Sequence, residues 1–164
     1  MTQLEPGQAM KEGMRRLASG VSVVASRNAE GEPCAMTATS VTSVSDNPAS
    51  LLVCVNKDTQ TYKILTSCPE APLSVNLLAH EQDDISNRCA SGDPGPSRFD
   101  IGDWDLEAAA PVLKSGLASF VCRTDQIIDY GTHGIVIAVI EDVLINDRPI
   151  DPLLYLNGGY CQAK

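Results

Sequence analysis

Across residues 5–19 the apolar side chains Met10, Met14, Leu17 and Ala18 recur at helical spacing, which predicts a helix whose stripe packs into a core. Gly20 closes the pattern, as glycine often does just past a helix end. The period then shortens. Residues 21–26 are rich in Val and Ser and read as a strand, and the polar, Gly- and Pro-containing segment 28–33 reads as a hairpin turn. A long run of Thr, Ser and Val over 34–45 is broken by Asp46, Asn47 and Pro48, which carry turn chemistry. The continuous apolar run 51–55 predicts a central strand buried on both faces.

Asp58 and Thr59 offer helix-capping oxygens, so residues 59–67 read as a short helix. Residues 72–78 read as a strand and 81–90 as a second short helix, opened by acidic residues that suit its positive end. The Gly/Pro-rich segment 91–96 begins a connection that runs to Pro111 with little periodicity; that length marks a lid or a binding loop. Residues 117–128 and 134–146 flank the polar segment 129–133 and make a long hairpin. Its second strand is apolar almost throughout, which predicts one face on the core and the other under a helix or a partner subunit. Six or seven strands paired as hairpins, with about three short helices, predict an antiparallel sheet or barrel rather than a doubly wound fold.

The chain has 164 residues, 43% of them hydrophobic, which is one domain with an adequate core. Twelve Lys and Arg against 21 Asp and Glu give a net charge of −9, which argues against nucleic-acid and anionic-membrane partners. The N-terminus lacks a signal-peptide pattern and no apolar run reaches membrane-spanning length. The closest two of the six cysteines, Cys54 and Cys68, are 14 positions apart, so no CxxC or zinc spacing exists. A cytoplasmic protein with reduced thiols is expected, with Cys34, Cys54 and Cys122 as small buried hydrophobes in strands.

Three clusters carry candidate chemistry. Met36-Thr37-Ala38-Thr39-Ser40 is dense in small hydroxyls, which lets a planar ligand approach backbone, although Thr and Ser also simply favour strands. Asn56-Lys57-Asp58-Thr59 opens a helix; it makes either a phosphate site or an ordinary capped helix. Gly131-Thr132-His133-Gly134 places a His in a glycine-flanked turn, as a ligand contact or as a surface side chain. With His80 and His133 the only histidines, a multi-His metal site is excluded, and any chemistry belongs to a bound cofactor rather than to side chains.

The blocks together resemble the flavin reductase-like family. Arg15-Arg16-Leu17-Ala18-Ser19-Gly20-Val21-Ser22-Val23-Val24 is similar to its opening. Met36 to Ser45 follows, then Pro48, Leu52 to Asn56, Ser74-Val75-Asn76-Leu77-Leu78, Ala110-Pro111-Val112-Leu113 and Leu117 to Cys122, all in the family's order. The Gly–His hairpin and the closing Pro152-Leu153-Leu154-Tyr155, Gly158 and Tyr160 complete a match over nearly the whole chain. The resemblance implies a mainly β fold, the FMN-binding split barrel, as a homodimer. It implies an NAD(P)H-dependent enzyme that reduces FMN or FAD and supplies reduced flavin to a separate monooxygenase. Thr37, Ala38, Thr39 and Ser40 would line the flavin ring, and Asn56, Lys57 and Thr59 the ribityl phosphate. Asn76 and Arg88 would approach flavin, and His133 would seat the nicotinamide as the catalytic residue. Two positions depart from the family. Thr132 replaces the acid of Gly-Asp-His, so no adjacent carboxylate favours a protonated imidazole, and Gly159 stands where an Arg is usual. These departures leave open a flavin carrier without efficient nicotinamide turnover, or a structural protein on the same barrel.

Overall fold

The computed structural model describes residues 3–164. Helix α1 (Pro6–Met14) leads through β1 (Ser19–Gly20) into β2 (Ser22–Arg27), β3 (Pro33–Ala38), β4 (Val41–Asp46) and β5 (Ala49–Asn56). Then come α2 (Gln60–Ser67), β6 (Pro72–Leu77), a single turn at His80–Gln82 and α3 (Asp83–Ala90). A turn at Pro96–Phe99, the short β7 (Trp104–Asp105) and β8 (Val112–Leu113), the long hairpin β9 (Ala118–Tyr130) and β10 (His133–Ile145), and a tail hairpin of β11 (Leu154–Leu156) and β12 (Gly159–Cys161) follow.

Seven strands pair antiparallel in the order β3-β2-β6-β9-β10-β5-β4. The two edge strands, β3 and β4, are consecutive in the chain and joined only by Thr39 and Ser40. A sheet whose opposite edges are two residues apart must curl onto itself, so the result is a barrel with a seam. No ladder crosses that seam at Thr39 and Ser40; the β2–β3 register ends at Ala38 and the β4–β5 register begins at Val41. Ser40 bridges it instead: its hydroxyl donates to the Cys54 carbonyl at 3.0 Å and accepts from the Cys54 amide at 3.2 Å.

One core fills the barrel, built from Val24, Leu51, Val53, Val55, Leu73 and Val136 and capped by Leu65 of α2. A second lies outside the β2–β3 edge, where Val23 and Ala35 meet Ile85 and Cys89 of α3, Phe99 and Leu153. Each β2 residue therefore serves one of two cores, which is why Ser22–Ser26 is buried at every position.

Several sequence expectations change. The stripe predicted to enter a core does not: α1 buries no residue, and Met10, Met14 and Leu17 are 57%, 53% and 56% exposed. The run 51–55 lies one strand in from an edge, and its burial alternates rather than being complete on both faces. Cys54 is accordingly half-buried, while Cys34 and Cys122 are buried. The stretch 91–111 is no free lid. Phe99 and Trp104 stack edge to face at 5.0 Å, and the Trp104 indole N–H donates to the Ile101 carbonyl at 2.9 Å. Gly102, at φ +95, allows this fold-back, because a Cβ there would meet the indole nitrogen at 2.8 Å. No helix among the described residues is long and apolar enough to cross a membrane.

Candidate functional site

Strand alternation divides the hydroxyl-rich segment. Thr37 and Thr39 face outward, whereas the Ala38 methyl points into the barrel at 6% exposure, so only its backbone is open to a ligand. Three cavities meet along this segment. One of about 350 Å³ joins Thr37 to Thr59, Gln60 and Thr61 at the start of α2. A second of about 450 Å³ joins Thr37 and Thr39 to Asn87 and the tail residues Tyr155 and Tyr160. A third of about 490 Å³ joins Thr39 to Leu17, Phe120 and Ile140 across the seam. The Thr37 hydroxyl donates to the Ser86 carbonyl at 2.6 Å and pins α3 beside it.

The α2 start is built by local capping. The Thr59 hydroxyl accepts from the Tyr62 amide at 3.2 Å and donates to the Asn56 carbonyl at 2.7 Å, and the Asn56 side chain accepts from the Asp58 amide at 2.9 Å. Such a cap contributes about 1 kcal/mol to the helix. The N–H groups of Gln60 and Thr61 have no intrahelical acceptor, and both residues line the first cavity. Opposite them lies Arg98, 7% exposed. All five of its N–H donors meet carbonyl oxygens: Asp93 from Nε, Ala35 and Cys89 from one terminal nitrogen, Ser91 and Gly92 from the other. No carboxylate pairs with it among the described residues, so the cavity wall carries a buried positive charge that favours an anion.

The His-bearing turn joins this loop directly. His133 pairs in register with Asn56 of β5 and Tyr130 of β9, and the Lys57 amide donates to the Thr132 carbonyl at 3.0 Å. Thr132 Oγ1 lies 2.8 Å from His133 Nδ1, leaving Nε2 as the outward-facing nitrogen. His133 lines none of the three cavities. It stands at the end of an outer face formed by Leu52, Cys54, Ile128, Ile135 and Ile137, side chains that are half-buried or, for Ile128, 47% exposed. The opposite face carries Asp129, whose carboxylate accepts from the Tyr62 hydroxyl at 2.6 Å and sits 3.8 Å from Lys57 Nζ. That hydrogen bond, ahead of burial, holds the Tyr62 phenol above its ordinary value.

Three predicted residues take other roles. Asn76 is fully buried; its amide donates to the Val23 carbonyl and the Ser74 hydroxyl, and its oxygen accepts from the Leu113 amide, so it braces the core rather than meeting a ligand. Arg88 lines none of the three cavities and faces Asp100 at 4.0 Å. Lys57 is drawn toward Asp129, away from the first cavity. A cysteine nucleophile is also disfavoured at the buried positions: burial pushes Cys89 up to about 11 and Cys122 up to about 12. Sequence reading missed Arg98 and the tail pair Tyr155 and Tyr160, whose rings meet edge to face at 5.7 Å. The tail is strapped down by Arg15, which donates to the Asn157 side-chain and main-chain oxygens at 3.3 and 3.0 Å.

The flavin reductase like domain model matches residues 14–164 of this chain. Over 151 residues the chain is 37% identical to an FMN reductase (NADH) RutF of Agrobacterium fabrum, covering 92% of this chain and 84% of that protein. Over 168 residues it is 31% identical to the 4-hydroxyphenylacetate 3-monooxygenase reductase component of Pseudomonas aeruginosa, covering 100% and 96%. Among solved structures, the NADH:FAD oxidoreductase SgcE6 of Streptomyces globisporus superposes with a TM-score of 0.85 at 28% identity, over 98% of this chain and 96% of that one.

Proposed function

The chain belongs to the flavin reductase-like domain family, and from that premise we propose that it is an NAD(P)H:flavin oxidoreductase delivering reduced FMN or FAD to a separate monooxygenase. The observation that supports this most is the convergence of three elements: the open seam at Thr39 and Ser40, the α2 N-terminus and the His133 turn. Their donor set fits a flavin. Thr37 and Thr39, with the backbone of Ala38 and Ser40, offer a flat polar strip for a ring. Gln60 and Thr61 N–H groups, under the field of Arg98, suit a phosphate. When bound, the flavin takes hydride from the nicotinamide and carries the electron pair away.

The protein's own part is positioning. The seam strip orients the ring, the α2 start anchors its phosphate, and His133 Nε2 holds the nicotinamide against it. Holding two reactants in register supplies most of the rate in such a reaction, and no general base is required. NADH and NADPH oxidation, followed by absorbance with and without excess FMN or FAD, tests the reading. Flavin-dependent oxidation is expected. Flavin binding without oxidation would instead favour a carrier, in keeping with Thr132 and Gly159.

A second copy of the chain fits the apolar outer face of β5, β10 and β9. His133 and Asn56 sit at its rim, so a second copy would also wall the nicotinamide position. Sedimentation is expected to report a dimer, and Ile135→Lys, which puts a charge in the centre of that face, a monomer. A wild-type monomer at micromolar concentration would sink the proposal.

A further inference from the structure

The His133 turn and the α2 loop are tied twice, once by backbone and once by side chains, and the side-chain tie has no counterpart in the capping described above. Tyr62 lies flat on the hairpin: a Cβ added to Gly134 would fall 2.7 Å from its ring. Its hydroxyl reaches across the strand to Asp129 at 2.6 Å. Gly134 and Asp129 are direct register partners, so ring and carboxylate act on adjacent points of the same face. The second oxygen of that carboxylate faces Lys57 Nζ at 3.8 Å. One carboxylate thus meets both the helix and the loop that the phosphate reading uses.

We infer that Asp129 and Tyr62 are positioning residues: they fix the His133 turn against the α2 loop, and Asp129 holds the Lys57 ammonium away from the phosphate position. This rests on the flavin reading above and goes further, because it makes the affinity for a phosphorylated flavin depend on a charge outside all three cavities. Lys57 is one third exposed on a flexible stem, so removing its partner's charge releases it toward the loop's anion.

Two variants separate the halves. Asp129→Asn keeps an oxygen for the Tyr62 hydroxyl but removes the charge on Lys57. It is expected to tighten FMN about threefold at low ionic strength, with the gain lost in high salt, and to leave riboflavin, which lacks the phosphate, unchanged. Tyr62→Phe keeps the ion pair but frees the turn. It is expected to lower kcat/KM for NADH about fivefold at unchanged FMN affinity, and to speed amide hydrogen exchange at Thr132 and His133. Equal shifts for FMN and riboflavin, or no tightening of FMN, would overturn the role of Asp129; unchanged exchange and kinetics in Tyr62→Phe would overturn that of Tyr62. The exchange arm reads the turn even if wild-type protein oxidises no NADH, an outcome that counts against the functional reading instead.

Discussion

His133→Ala is expected to lower kcat/KM for NADH about 10²-fold while leaving flavin affinity within about twofold. The imidazole has one protein partner, Thr132 Oγ1 at 2.8 Å on Nδ1, and is exposed, so its loss removes no packing. It stands on the register row of Asn56, one residue from the loop that caps α2. Misplacing a reactant by about 1 Å can cost about 10²-fold, which corresponds to about 2.7 kcal/mol of transition-state stabilisation. Because no structural contact is lost, the thermal midpoint should stay put, and flavin titration should match wild type. Steady-state kinetics equal to wild type would remove His133 from the mechanism.

The second large effect is on the fold. Arg98→Met is expected to lower stability by roughly 3 to 5 kcal/mol, because it strands buried carbonyls that five N–H donors now satisfy. For a chain of this size the thermal midpoint should fall on the order of 10 °C. Flavin affinity should fall with it, since the loop carrying Gly92, Pro94 and Arg98 walls the cavity at the α2 start. Arg98→Lys should recover part of the stability, as an ammonium supplies three donors in place of the guanidinium fork. A melting curve of Arg98→Met superimposable on wild type would show that the carbonyl cage is not what holds the loop.

Local chemistry was legible in the sequence and long-range packing was not. The α2 cap at Thr59 and the hairpin of β9 and β10 follow from residues close along the chain, and both stand where the pattern places them. The α1 stripe shows the limit: periodicity reports that one side is apolar, not what covers it, and within one chain nothing covers Met10 or Met14. The division of Thr37, Ala38 and Thr39 between two faces is fixed by strand period, but which face is interior depends on barrel closure, a property of the whole sheet. Asn76 and Arg98 exchange roles for the same reason. A polar residue inside a strand reads as a ligand contact until its amide is seen to meet Val23, Ser74 and Leu113. A lone Arg in a Gly/Pro-rich loop gives no sign of the carbonyls it gathers.

The strap between Arg15 and Asn157 has a consequence for biosynthesis. Every strand of the barrel lies between Ser22 and Ile145, so that core is fully encoded before the last residues leave the ribosome. The cavity beside Thr37 and Thr39, by contrast, is walled by Tyr155, Gly158 and Tyr160, which are nearly the last residues made. A nascent chain therefore acquires its barrel first and this part of its binding surface last, when the tail folds back onto the segment synthesised first.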